Sequence, residues 1–416
     1  MSNQQVVCRS CPPPGLTSIL DLGRTPLANA LITPEQLSEA EEMYPLELFF
    51  CANCTLVQIS ETVAPEKLFR EYFYRSSFSD TMLRHAESVA RELMSSRKLD
   101  TGSLVVEIAS NDGYLLQYYK QAGVPVLGIE PATNIARIAS EERGIETVTE
   151  FFGNELAKTL AEDGRHADVI HANNVLAHVA DLNGFVSGLP LLLKETGIAV
   201  IEVPYLKDMI DLTEFDTIYH EHLCYFSLSA LDHLFRRHSL VITDVARLPI
   251  HGGTLRITAS RNDAAAVQIA SAVTQLMEEE SEWVGSEDFY RGFGEKVERL
   301  RKELLTLLKQ LKVAGKRIAV YGASAKGSTL MNYLGIDGRT LDFVVDRSTV
   351  KQGHYTPGTH LRIYPPEKLL EEAPDYVLLL TWNFAEEILA QQAEYLKLGG
   401  RFIVPIPEVR IVEAGA

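Results

Sequence analysis

Residues 104–114 read Leu104-Val105-Val106-Glu107-Ile108-Ala109-Ser110-Asn111-Asp112-Gly113-Tyr114. The first six are apolar except for Glu107, the pattern of a strand buried on both faces. The small residues after them form a turn where a ligand can approach the backbone at the carboxyl edge of a sheet. Outward from this point the chain alternates. Tyr114–Gln121 reads as helix, Val124–Glu130 as strand, Thr133–Arg143 as helix and Thr147–Glu150 as a short strand. Asn154–Glu162 reads as helix, Val169–Asn173 as strand, Gly184–Lys194 as helix and Ile198–Pro204 as strand. Such alternation predicts a parallel sheet covered on both faces.

A helix near Ser229–Arg237 follows, then strands Leu240–Leu248 and Thr254–Ala259 around the turn Ile250-His251-Gly252-Gly253. Glu295–Val313 carries an amphipathic helical pattern and bridges to a second alternating block. That block holds strand Arg317–Tyr321, a helix after Lys326, and strands Leu341–Val345, Tyr376–Leu380 and Arg401–Val404. The residues up to about Leu68 have many Pro, Gly and Asn and few helical stretches. The expectation is an α/β chain in three units: a zinc-binding module over 1–70, a Rossmann-like cofactor domain over 71–300 and a smaller Rossmann-like domain over 301–416. A length of 416 residues agrees with several cores.

The formal charge of −17, from 39 basic and 56 acidic residues, opposes binding to nucleic acid or anionic lipid. No apolar run approaches the roughly 18 to 20 residues of a membrane helix. Met1-Ser2-Asn3-Gln4-Gln5 lacks the features of a secretory signal, so cytoplasm is the expected compartment. Of five cysteines, Cys8/Cys11 and Cys51/Cys54 form two C-x-x-C knuckles, and Cys224 stands alone as a buried filler. Two knuckles can present four thiolates to one ion. Such a closed tetrahedral shell leaves no open position, so the zinc is expected to be structural and distant from the chemistry.

Strand Val126–Glu130 ends in an acid, where a carboxylate can accept from both ribose hydroxyls of an adenosyl cofactor. A helix-capping role for Glu130 is the alternative. These features alone do not separate a nicotinamide from S-adenosylmethionine. The missing G-x-G-x-x-G and the acid Glu107 inside the first strand favour S-adenosylmethionine. The residues expected to bind it are Glu107, Ala109, Asn111, Gly113, Tyr114, Glu130, Pro131 and Asn173.

Tyr219-His220-Glu221-His222 places a phenol and three ionisable groups together, and His178 follows the fourth strand. An imidazole here can serve as general base near neutral pH. The residues alone do not decide between His220, His222 and Tyr219 as proton acceptor. Tyr72-Phe73-Tyr74-Arg75-Ser76-Ser77 is a further aromatic and hydroxyl cluster at the seam of the first two units. In the last unit Gly322-Ala323-Ser324-Ala325-Lys326-Gly327 links a strand to a helix N-terminus, an arrangement that can cradle phosphate. Ser324, Lys326, Asn332, Arg347 and Lys351 are the expected substrate-binding set, with a diphosphate between Lys326 and Arg347.

Taken together, the two knuckles, Leu20-Asp21-Leu22-Gly23, Pro26-Leu27-Ala28-Asn29, Tyr72–Ser77, Glu107–Gly113, Tyr219–His222 and His251-Gly252-Gly253-Thr254 give the chain a resemblance over nearly its whole length. It resembles the nucleotide-sugar 3-C-methyltransferases of deoxysugar biosynthesis, which help make branched antibiotic sugars. The resemblance implies a zinc module, a methyltransferase sheet and a Rossmann-like C-terminal domain. It implies a dTDP-linked 3-amino-4-keto-2,3,6-trideoxyhexose held between the last two. The chain is expected to act as a monomer. By resemblance His222 is the base with Glu221 as its partner, and Tyr219, Tyr74 and His178 shape the sugar pocket. Ala109 departs from the family of methyltransferase loops, many of which have glycine there. The alternatives are N- or O-methylation of a similar sugar, a nucleotide-sugar oxidoreductase, or a noncatalytic binding protein.

Overall fold

The computed structural model describes residues 6–12, 15–69, 75–250, 252–264 and 267–415. Its central sheet has seven strands in the order Leu240–Leu248, Thr254–Arg261, Leu193–Pro204, Ala167–Asn173, Val105–Ile108, Val126–Ile129, Thr147–Val148. The last five pair in parallel, and the two at the other edge join by antiparallel pairing. Strand order reverses between Val105–Ile108 and Ala167–Asn173. At such a switch point the loops leaving the carboxyl ends diverge and open a crevice.

Local chemistry sets the boundaries. Helix Thr133–Arg143 spans the expected residues and stops at Gly144, whose φ of 61° forms a left-handed C-cap. Helix Asn154–Glu162 also spans the expected residues. Val105–Ile108 ends one residue early because Ala109 turns to φ +54°. The long amphipathic helix starts at Glu287, not Glu295, where Ser286 caps Phe289 N at 3.3 Å. Gly292 and Gly294 in its first turns weaken the helical signal. It crosses position 300 and carries buried Tyr290, Phe293, Val297, Leu300, Leu304 and Leu308.

The C-terminal sheet runs Ile363–Tyr364, Val344–Val345, Ile318–Tyr321, Tyr376–Leu379, Arg401–Val404, Arg410–Val412. All its pairs are parallel except the last. The expected strand Leu341–Val345 is reduced to Val344–Val345.

The N-terminal sheet is made of Thr17–Thr25, Tyr44–Phe50 and Val57–Ile59, and is completed by Cys224–Tyr225 from the middle of the chain. The N-terminal unit also reaches the C-terminal one. Ile32 and Tyr355 exchange backbone hydrogen bonds of 2.9 and 2.8 Å. Glu41 accepts from Gly358 N at 2.9 Å and lies 2.6 Å from His360.

Candidate active site

The loop after Val105–Ile108 takes an alternating course: Ala109, Asn111 and Gly113 have φ of +54°, +49° and +76°. Ala109 thus occupies a backbone conformation that glycine adopts freely and alanine at a cost of about 1 kcal/mol. A Cβ on Gly113 would collide with Ile145. The loop is tied down from two sides. Glu130 accepts from Asn111 N and from Ala132 N, both at 2.9 Å, so one carboxylate braces the loop and the start of the next helix. Ser76 N donates to Asn111 Oδ1 at 2.9 Å, and Ser77 Oγ donates to Asp112. Arg143 donates to Asp112 O at 2.6 Å.

Beneath the loop, Glu107 is fully buried, and neither of its carboxylate oxygens has a partner among the described residues. Burial first, then the neighbouring Asp112 and Glu130, push its pKa well above the carboxylate range. Ser110 Oγ and Asn173 Oδ1 are likewise buried and unpartnered. Unmet polar groups around a backbone turn at a switch point suit the amino acid end and ribose of S-adenosylmethionine. Tyr114 lines the loop's exit, and Pro131 follows Glu130 into the helix.

Tyr219, His222 and His178 come together past the carboxyl end of strand Ala167–Asn173. Tyr219 Oη lies 3.0 Å from His222 Nε2, and the rings are 4.1 Å apart. His222 Nδ1 lies 2.8 Å from Thr217 O, an acceptor only, so Nδ1 carries the proton and Nε2 accepts from the phenol. The His178 ring meets His222 edge-on at 4.8 Å. Burial first, then His178, hold the His222 pKa well below the ordinary value, so the imidazole is neutral. His178 is lowered to about 4, again by burial.

Glu221 does not partner His222. Its carboxylate accepts from Asn29 Nδ2 at 2.7 Å, and burial raises its pKa to about 6. His220 Nε2 donates to Pro45 O at 3.1 Å, which places it in the contact with the N-terminal unit. Tyr72 and Tyr74 lie outside the described residues, as does His251.

Most of the expected diphosphate set has partners within the protein. Ser324 Oγ caps its own helix, accepting from Gly327 N at 3.1 Å. Asn332 is held two turns along by Ser328 O and Pro357 O. Arg347 faces Glu387 and Gln391 at 3.5 and 3.4 Å, and Lys351 donates to Ala323 O at 2.8 Å. Lys326 instead stands over the Trp382 ring, 4.7 Å from its centroid. Several buried polar groups near the site carry no local sequence signal. Glu214 and Asp216 are two. Glu202 is a third, bound by His85 at 2.8 Å and by Arg256 at 2.8 Å.

The Sγ atoms of Cys8, Cys11, Cys51 and Cys54 are buried and lie within 4.8 Å of one another. Cys8 and Cys54 are 3.5 Å apart, Cys11 and Cys51 3.6 Å. Zinc with bonds of about 2.3 Å holds its sulfurs about 3.8 Å apart, so the cluster fits the ion. Asn53 Nδ2 donates to Cys11 Sγ at 3.1 Å, the kind of outer contact that orients a ligand. This site is closed, as expected. Its unit touches the Tyr219–His222 turn, because Cys224, two residues after His222, pairs with Gln58 of the zinc module.

Fold and site define a class: a methyltransferase that uses S-adenosylmethionine and carries a four-cysteine zinc site. Family models match a zinc binding domain over residues 8–69, a methyltransferase domain over 82–245 and a C-methyltransferase C-terminal domain over 249–407. The C-methyltransferase NovU of Streptomyces niveus is 36% identical over 98% of this chain and 97% of its own length. The chain belongs to this C-methyltransferase family. Among solved structures, the PH0226 protein of Pyrococcus horikoshii OT3 is 14% identical, with 48% of this chain and 96% of that one covered and a TM-score of 0.37. The magnesium protoporphyrin IX methyltransferase of Synechocystis PCC 6803 with bound SAH is 17% identical, with 43% and 83% covered and a TM-score of 0.35.

Proposed function

We propose that the protein methylates C-3 of a dTDP-linked 3-amino-4-keto-2,3,6-trideoxyhexose, in the biosynthesis of a branched deoxysugar. We assign it to the cytoplasm as a monomer. S-adenosylmethionine supplies the methyl group. The observation that supports this reading is the hydrogen bond from Tyr219 Oη to a neutral His222 Nε2 beside the cofactor crevice. Methylating a hydroxyl or an amine needs no carbon acid; methylating carbon does.

C-3 lies next to the C-4 ketone, which acidifies its proton. The Tyr219 oxygen takes that proton while the phenolic proton passes to His222 Nε2. The electron pair of the broken C–H bond moves toward O-4, giving an enolate. C-3 then attacks the methyl carbon in line, the C–S bond breaks and the ketone re-forms. Imidazolium formation at His222 is opposed by burial, and the enolate charge arising beside it offsets that opposition. His178 packs against His222 and fixes its ring plane. Glu221, braced by Asn29, completes the sugar pocket in this reading.

The test is incubation with S-adenosylmethionine and the dTDP-3-amino-4-keto-trideoxyhexose in deuterium oxide, followed by mass and by the C-3 proton signal. One methyl on carbon with loss of the C-3 proton is expected. Tyr219→Phe and His222→Asn should each lower kcat by about 10²- to 10⁴-fold with S-adenosylmethionine affinity kept. Methyl on nitrogen, or full activity in both variants, would refute the assignment.

A further inference from the structure

Lys326 opens the helix Ala325–Leu334, next to the turn that carries Glu214 and Asp216. Three contacts fix its place. Its ammonium lies over Trp382, and Trp382 Nε1 donates to Asp216 Oδ2 at 2.7 Å. Thr329, one helical turn beyond Lys326 on the same face, donates to the carbonyl of Ile218 at 3.2 Å, the residue before Tyr219. The first turn of this helix is thereby docked against the catalytic segment.

Glu214 and Asp216 are 3% and 0% exposed. Glu214 Oε1 and Asp216 Oδ1 have no hydrogen-bond partner among the described residues. Lys326 is a favourable charge acting on both. The Glu214 carboxylate is pressed against the backbone at Gly252, where a Cβ would come within 2.6 Å of Oε2. No described residue gives the Lys326 ammonium a hydrogen bond or a close ion pair, so its donors remain for a ligand.

An ammonium fixed against this segment suits a single anionic oxygen formed during reaction, because a fixed cation stabilises charge as it develops. Lys326 also acts on His222, disfavouring its cationic form in the resting enzyme.

We propose that Lys326 is a catalytic residue whose ammonium donates to the substrate oxygen that becomes the enolate oxygen, and that Glu214 and Asp216 are positioning residues that hold it there. The inference rests on the C-methylation of a ketosugar proposed above. No bond to Lys326 forms. It gives a hydrogen bond to O-4 as the C–H electron pair shifts there, and the bond weakens when the ketone returns.

The experiment compares wild type, Lys326→Met and Lys326→Arg with S-adenosylmethionine and the dTDP-3-amino-4-keto-trideoxyhexose. It also measures binding of dTDP alone. Lys326→Met should lose about 10²- to 10³-fold in kcat, with KM for the sugar and the affinities for dTDP and S-adenosylmethionine within threefold. Lys326→Arg should recover part of kcat. Glu214→Gln should lower kcat alone and add little loss on top of Lys326→Met, the sign of groups acting as a unit. A normal kcat in Lys326→Met, with KM and dTDP affinity weakened tenfold or more, would make Lys326 a phosphate ligand and overturn the inference while leaving the substrate reading intact. No methylation by wild type would overturn the substrate reading, and the inference with it.

Discussion

Glu214 shows how burial changes one group. Its pKa is raised from 4.5 to about 7, chiefly by desolvation, with Lys326 partly opposing. The unfolded chain ionises near 4.5, so between that pH and about 7 the folded state holds the extra proton. Stability therefore falls as pH rises through this window, and the deficit is full above it. Glu214→Gln should be more stable than wild type at pH 8, by up to about 3 kcal/mol, and similar to it at pH 4. Urea unfolding at both pH values checks this; parallel curves for the two proteins would contradict it. His178, Tyr219 and His222, which the structure brings together, could be singled out from the sequence because they fall in compact motifs or just past a strand end. Sequence reading missed Glu214, Asp216 and Trp382 because acids and lone tryptophans are common, and nothing local shows that 166 residues of chain separate two hydrogen-bonded partners.

Elements are placed by a few polar contacts as much as by apolar faces. Glu280, fully buried in helix Ser271–Ser281, accepts from Leu228 N and Ser229 N at 2.7 Å and from Ser229 Oγ at 2.6 Å. It thereby closes the N-terminus of helix Leu228–Arg237, which packs against strand Leu240–Leu248 and helix Ser271–Ser281. Glu280→Ala should lower stability by about 2 to 4 kcal/mol, since it leaves buried amides unpaired, and should shift the urea midpoint while S-adenosylmethionine still binds. The long helical and strand patterns of the central sheet could be read from sequence because apolar spacing alone marks them. Cys224–Tyr225 could not, because a strand of two residues has no period to detect. The Glu221–His222 pairing implied by the resemblance is not made, because consecutive residues in this turn point to different units, Asn29 on one side and Thr217 on the other.

At the scale of the whole molecule, sequence blocks revealed three units but not how they interlock. The N-terminal unit grips residues 220–225 through Asn29, Pro45 and the strand Val57–Ile59, and the C-terminal unit through Ile32 and Glu41. Removing the metal should therefore reach the chemistry. Cys51→Ser should lose its zinc, measured as metal per chain, and most of its methyl transfer, while S-adenosylmethionine affinity stays within a few-fold. Full activity in a zinc-free protein would show that the module merely decorates the enzyme. The borrowed strand Cys224–Tyr225 also imposes an order of events on synthesis. When the first 69 residues leave the ribosome, the edge at Val57–Ile59 has no neighbour and stays open until residue 225 emerges, long after the metal ligands are available. Zinc can gather the four thiolates early, but the module's sheet is finished only by the segment that follows His222, so its completion and the setting of His222 are one late step in the birth of the chain.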